Sequence, residues 1–441
     1  MNHVVAAEFN SEKYWEIEGY TKLPSINDST SNNIILCMDE LMFPFLDNGD
    51  LLITRFKFNN HLKDYLNSIG FQFSCSDNIH IEGDKNIFQE ICTNKEALNE
   101  ISEYIDKDTV LSSYSIIPSY DKAAELLNIK CKDINCDIIK KINSKVYSYE
   151  LNKKLKANYE GVIITNSNEI LEQFKIINKG NGVVIKEPYG VSGKGNLFVN
   201  SEVILNRVIK FIEVQEKKGL KTSLIMEPFL EKEEDFSCQF TIDENGNFSL
   251  VSVQKMLNFK FNYGGSYRAD EKFINWLKDQ GYIDMMKDVG KALYNDGYFG
   301  DVCVDSMILK NGDIVPIIEI NGRKSMGFIN NAMDEYLEQF GLKSHLCFFK
   351  IGYKGKINFS EIFKYLDEEG LIFYPYRESG IIPMSANTMF INRDIDKEYN
   401  DEKLYKGRFY LSIATKSISE VANIENELRS IFRRLSINVY N

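Results

Sequence analysis

Three groups of residues in the middle of the chain could do chemistry. The first is glycine-rich. Gly190, Gly193 and Gly195, with Ser192 and Lys194 between them, follow the strand-like run from Gly182 to Lys186. Positions without side chains let backbone N–H groups approach phosphate oxygens closely. The spacing matches neither a Walker A loop nor the G-x-G-x-x-G fingerprint, and alone it also fits an ordinary turn. The second group is acidic. Asp305 lies inside an apolar run, 302–309, and a second run, 314–320, leads into Glu319, Asn321 and Arg323. Between the runs, Lys310–Asp313 contains Asn-Gly, a hairpin signal. Antiparallel pairing across that turn sets Asp305 near residues 318–320, so the Asp305 and Glu319 carboxylates meet if both face one side. With the Asn321 amide oxygen they form a hard oxygen set that suits Mg²⁺ held with nucleotide phosphates. A solvated Asp–Arg surface pair is the competing reading. The third group is a pair of lysines, Lys145 and Lys186, within reach of the same stretch of sequence.

Such a set answers a definite chemical need. A carboxylate is a poor electrophile because it has no good leaving group. Phosphorylation turns it into an acyl phosphate, but two anions must first be brought together. Lysine, arginine and Mg²⁺ offset that repulsion, and positioning supplies most of the rest.

The order of Asn143-Ser-Lys145, Val184-Ile-Lys186 with its glycine loop, Met226-Glu-Pro-Phe-Leu230, Asp305 and Glu319-Ile-Asn-Gly-Arg323 resembles the ATP-grasp superfamily of carboxylate–amine ligases over roughly residues 140–330. The resemblance implies a role for each position. Lys145 and Lys186 would contact phosphates, and Gly190, Ser192, Gly193, Lys194 and Gly195 would fold over them. Glu227 would lie at the adenine edge, with Pro228, Phe229 and Leu230 as the hinge. Asp235, or else Glu234, would accept from the ribose hydroxyls. Asp305, Glu319 and Asn321 would hold two Mg²⁺ ions, with Mn²⁺ as a substitute, and Arg323 would stabilise the reacting group. D-alanine–D-alanine ligases carry an arginine two residues before this aspartate, whereas here the run reads Val302-Cys-Val-Asp305. That departure shifts weight onto Arg323 and onto Arg268, a second candidate for clamping a substrate carboxylate.

The resemblance further implies an ADP-forming ligase that joins an amino acid or small peptide to an amine, in biosynthesis of a peptide-like metabolite. The alternative acceptor is a carrier-protein thiol. A nucleotide-binding module without turnover is a third class, but it need not retain Lys145, Lys186, Asp305, Glu319, Asn321 and Arg323 together. A homodimer is expected by resemblance alone.

The elements that must position these groups fall into three textures. Residues 1–115 hold short apolar runs, such as 33–38 and 50–54, among helical stretches, and read as an α/β domain of the pre-ATP-grasp kind. Residues 116–350 read as the central and nucleotide-binding α+β lobes. There the hairpin signals at Asp243–Gly246 and Lys310–Asp313 flank a helical pattern over 283–294. Gly264-Gly-Ser266 reads as a mobile loop beside the substrate. Residues 351–441 read as a small α+β appendage, with a strand at 410–414 and a helix over 419–432.

Composition is consistent with this plan and excludes other classes. The chain has 441 residues with 44% apolar and 26% charged, ordinary for a globular protein of several domains. Its 52 basic against 64 acidic residues give a net charge of −12. That argues against nucleic-acid or anionic-membrane partners. Eight cysteines form no C-x-x-C pair and only four histidines occur, so a zinc site or disulfide framework is not expected. With no signal-peptide pattern at the start, the expected compartment is the cytoplasm.

Overall fold

A computed structural model describes residues 2–16, 18–25, 28–76, 85–190, 195–259 and 262–440, the side chains of 258, 259, 262 and 263 excepted. Ser192, Gly193 and Lys194 therefore lie outside the described residues.

Runs such as Leu51-Leu-Ile53 are apolar at consecutive positions, as strands covered on both faces require. They pair in parallel in the order β3-β2-β1-β4, with β1 His3–Ala6, β2 Leu51–Ile53, β3 Ser74–Cys75 and β4 Val110–Ser113. Strand alternation sends Val4, Ala6, Leu51 and Ile53 into one core and Val5 and Leu52 into another. The N-terminal sheet is thus gripped between two parts of the molecule rather than standing alone.

The central lobe is a four-stranded antiparallel sheet, β5 Val162–Ile164, β6 Val183–Lys186, β7 Asn196–Val199 and β8 Leu224–Pro228, ordered β5-β8-β6-β7. Its back face, including Val183, Ile185 and Met226, packs on helices Ser167–Ile177 and Glu202–Glu216. The second helix presents Leu205, Val208 and Ile212 at helical spacing and is capped by Ser201, which accepts from the Ile204 amide. Alternation leaves Val184 and Lys186 on the front face of β6.

The largest sheet is antiparallel. Its strands are β9 Lys232–Ile242, β10 Phe248–Phe259, β11 Asn262–Arg268, β12 Gly300–Leu309, β13 Ile314–Asn321, β14 Lys343–Tyr353, β15 Gly380–Pro383, β16 Tyr405–Thr415 and β17 Asn438–Val439. The order is β13-β12-β9-β10-β11-β14-β16-β15, with β17 also on β14. Both expected hairpins form, β9–β10 and β12–β13.

Two expectations need correction. The apolar run 33–38 is not a strand, because it completes helix Ser29–Leu36 and enters the 3₁₀ helix Met38–Phe45. Gly264-Gly-Ser266 is not a loop but part of β11, which pairs with β14. A Cβ on Gly265 would come within 2.8 Å of the Leu346 carbonyl oxygen, so close strand approach explains that glycine. Residues 351–441 join the middle of the molecule directly, since β16, β15 and β17 extend the main sheet through β14.

Glu40 ties the first and last parts of the chain together. Its Oε2 accepts from the Ser385 hydroxyl at 2.5 Å and from the Ala386 and Asn387 amides at 2.9 and 3.0 Å, at the start of helix Asn387–Asp394. Burial raises this carboxyl from 4.5 to about 7, against the hydrogen bonds that hold it down. A raised carboxyl contributes fully below its unfolded value and loses that contribution as pH climbs through its folded value. Glu40→Ala should cost about 2–4 kcal/mol, with a larger loss at pH 5 than at pH 8. Urea unfolding of both proteins at the two pH values checks this, and a cost that grows with pH would refute it.

Candidate active site

Antiparallel register places Asp305 of β12 directly opposite Glu319 of β13, and Cys303 opposite Asn321. A register shift follows immediately, between Asp305 and Met307, so the strands separate just past the carboxylate pair. Asp305, Glu319 and Asn321 all line one cavity, and so do Lys186, Glu227 and Asp235. Burial, with the Glu319 charge second, raises Asp305 to about 7, while Arg323 works in the opposite direction. Two carboxylates in apposition need a cation to remain charged. No group of three His, Cys, Asp or Glu residues suited to a metal occurs among the described residues. The donor set is instead two carboxylates and an amide, and it fits a hard divalent ion. Asn321 Nδ2 lies 3.3 Å from Asp305 Oδ2, and a turned amide would offer its oxygen to an ion.

Each cation of the site is matched to a carboxylate. Lys145, at the start of helix Lys145–Lys154, donates to Glu319 Oε1 at 2.9 Å and to the Gly190 carbonyl at 2.9 Å. Lys186 pairs with Glu227 at 2.5 Å, and the Tyr159 hydroxyl donates to the other Glu227 oxygen. Lys232 bonds Asp235, and Lys255 pairs with Glu234 at 2.9 Å. The glycine loop leaves β6 at Glu187, whose amide donates to Gly195 O at 2.8 Å. Gly195 adopts φ +74, where a side chain is strained.

Arg323 is buried. It donates to Glu12 Oε1 at 2.7 and 3.2 Å, to the Tyr114 hydroxyl at 3.0 Å and to the Lys324 carbonyl at 3.0 Å. Burial opposes its charge, but Glu12, Tyr114 and Glu319 together outweigh that effect and raise it above the usual arginine value. Just beyond, Ser325, Met326 and Gly327 line the cavity at the N-terminus of helix Met326–Glu338, where amide dipoles favour an anion. Arg268 stands elsewhere. Its guanidinium pairs with Glu338 and donates to Asn331 at 2.8 Å, both on that same helix, and it is not among the residues lining the cavity. These partners hold Arg268 against the helix, away from the carboxylate hairpin where the clamp was expected.

Sequence reasoning missed several contributors. Val184, Phe198, Met307 and Ile318 line an apolar part of the cavity beside the expected Phe229, with the Phe198 and Phe229 rings 4.7 Å apart. Alternation along β6 and β7 could have pointed to the first two. Tyr159 and Glu12 carry no local signal, because each reaches its partner across the fold.

No family model matches the chain. A curated relative, the [Butirosin acyl-carrier protein]--L-glutamate ligase of Niallia circulans, is 25% identical over 226 residues, covering 48% of this chain and 52% of that protein. The chain thus spans about half the length of the curated relative it matches. Among solved structures, the L-amino acid ligase of Bacillus licheniformis aligns with TM-score 0.52 and 12% identity over 100% of this chain and 98% of that one. The biotin carboxylase domain of Hydrogenobacter thermophilus 2-oxoglutarate carboxylase, solved with MgADP, aligns with TM-score 0.55 and 12% identity over 99% and 90%. Three layers in this order, with a carboxylate hairpin facing a lysine-bearing small sheet, give the chain the ATP-grasp fold of these ligases.

Proposed function

We propose that the chain is an ADP-forming, ATP-dependent ligase that activates a carboxylate, such as that of an amino acid or small peptide, as an acyl phosphate and passes the acyl group to an amine. The observation that carries this reading is the register pair Asp305–Glu319 facing the same cavity as Lys186 and Glu227 in an ATP-grasp fold.

The apolar slot between Val184, Phe198 and Phe229 suits a flat base. Glu227, oriented by Tyr159, would accept from the edge of that base, and Asp235 would accept from the ribose hydroxyls. Lys186 and Lys145 would neutralise phosphate oxygens beneath the glycine loop. Asp305, Glu319 and Asn321 would hold Mg²⁺, which when bound screens the phosphate charge. A substrate carboxylate oxygen then attacks the γ-phosphorus, the bond to the bridging oxygen breaks, and ADP departs. Arg323, held by Glu12, and the amides opening helix Met326–Glu338 would bind the acyl phosphate oxygens. Attack of an amine nitrogen on the carbonyl carbon expels phosphate, and the amine proton passes to the departing phosphate or to water.

A second reading keeps the activation and changes the acceptor to a carrier-protein thiol. The name of the Niallia circulans relative favours it.

With Mg-ATP, pooled amino acids and hydroxylamine, the protein should release ADP and form a hydroxamate. AMP and pyrophosphate as products would overturn the acyl-phosphate route. Glu319→Gln should lower the rate by about a hundredfold or more, while circular dichroism shows the fold retained. Tyr159→Phe removes one hydrogen bond to a charged partner and should raise KM for ATP about tenfold with little change in kcat. An equal fall in kcat would refute the orienting role.

A further inference from the structure

The cavity is larger than a nucleotide and an amino acid need. Its volume is about 1410 Å³, against roughly 300–1,000 Å³ for ordinary small-molecule pockets. From the carboxylate hairpin it continues beneath helix Ser29–Leu36 to β14 and β16, where Ile34, Ile35 and Met38 form an apolar wall. At that far end stand Lys406 and Arg408.

Arg408 lies opposite Lys350 in the register. Its guanidinium sits 5.1 Å from the Phe348 ring centre and donates to the Tyr410 hydroxyl at 3.1 Å and the Ser31 hydroxyl at 3.5 Å. Among the described residues neither Arg408 nor the exposed Lys406 makes an ion pair with a carboxylate. Asp28 also lines this end, leaving the group of Lys350, Lys406, Arg408 and Asp28 net positive. The intervening Gly407 packs bare against helix Asn387–Asp394, where a Cβ would overlap the Met389 carbonyl, so the strand that presents both cations is held tightly. A half-buried guanidinium that feels the Asp28 charge but forms no ion pair with it, beside an ammonium at the end of an apolar channel, suits a phosphate or carboxylate.

Distance decides which anion. From β12 to β16 the order is β12-β9-β10-β11-β14-β16, and five steps at the usual strand spacing make roughly 24 Å. One amino acid spans only about 3.5 Å, so no amino acid reacting at the carboxylate hairpin also reaches Arg408. A phosphopantetheine arm has roughly thirteen bonds from sulfur to phosphorus, or about 16 Å extended at ~1.2 Å per bond. With the acyl and phosphoryl groups added beyond its sulfur, it matches the channel.

We propose that Lys406 and Arg408 bind the phosphodiester of a phosphopantetheine arm tethered to a carrier protein, laying the arm along the apolar channel with its thiol at the acyl phosphate. This rests on the ligase reading above and selects its thiol acceptor. The sulfur attacks the acyl carbonyl carbon, the C–S bond forms, the C–O bond to phosphate breaks, and the thiol proton leaves with the phosphate.

The test compares 4′-phosphopantetheine with pantetheine, which lacks only the phosphate. Titration calorimetry should show the phosphorylated form binding at least tenfold more tightly, and Lys406→Glu and Arg408→Gln should each abolish that preference. In turnover, the variants should lose at least tenfold more kcat/KM for a phosphopantetheinyl-serine peptide than for pantetheine. Equal binding of the two compounds, or variants that keep the preference, would overturn the site. Better use of coenzyme A than of the peptide would overturn the tethered source. Absence of hydroxamate from the wild-type protein would instead sink the ligase reading, while the calorimetry would still decide the site.

Discussion

Everything in the centre of this molecule depends on holding two carboxylates, Asp305 and Glu319, across one antiparallel rung. Like charges so close are stable only with positive charge beside them. The fold supplies part of that charge itself. Lys145 meets Glu319, Lys186 meets Glu227, and Arg323 meets Glu12. On the proposed function, a phosphate would take Lys145 and a cation would take Glu319, so their ion pair would give way when nucleotide and metal bind, and by linkage each ligand would favour the other.

The N-terminal sheet takes part in this arrangement through Arg323. Glu12 and Tyr114 both come from the first 115 residues and hold the guanidinium from one side. Tyr114 in turn stacks on Phe9, ring centres 4.1 Å apart, at the cavity wall. Burial raises the Tyr114 phenol to about 12, so it remains a neutral hydroxyl beside the arginine. A domain that carries no recognisable chemistry of its own thereby orients a charged group that belongs to another part of the chain.

The legible parts of the site were those carried by short-range patterns. The Asn-Gly turn at 311–312 set the β12–β13 pairing, and with it the apposition of Asp305 and Glu319. The strand-like run 182–186 ended at Lys186, as β6 does. The fold class followed from the order of these motifs. What stayed illegible depended on long-range contacts. Arg268 was expected at the substrate because nothing local reveals Glu338, some seventy residues later, as its partner. Residues 34–38 are apolar throughout, and periodicity alone does not separate a buried helix end from a strand. The strand pairing between 343–353 and 405–415 that ties the C-terminal segment into the main sheet leaves no mark in either stretch. Glu12 and Tyr159 were invisible for the same reason.

The continuity of the main sheet also bears on how the chain is made. Helix Ser29–Leu36 packs on β16 and on helix Asn387–Asp394, with the Asn33 amide donating to Asn392 at 2.9 Å. Glu40 likewise waits for Ser385. As a ribosome delivers the chain, residues 29–40 lack these partners until about 350 later residues have emerged. β14 meanwhile offers an unpaired edge until β16 appears. Contacts of such long separation close slowly, and exposed strand edges invite other chains. Emergence of β15 and β16 is thus the step that covers the β14 edge and completes the sheet.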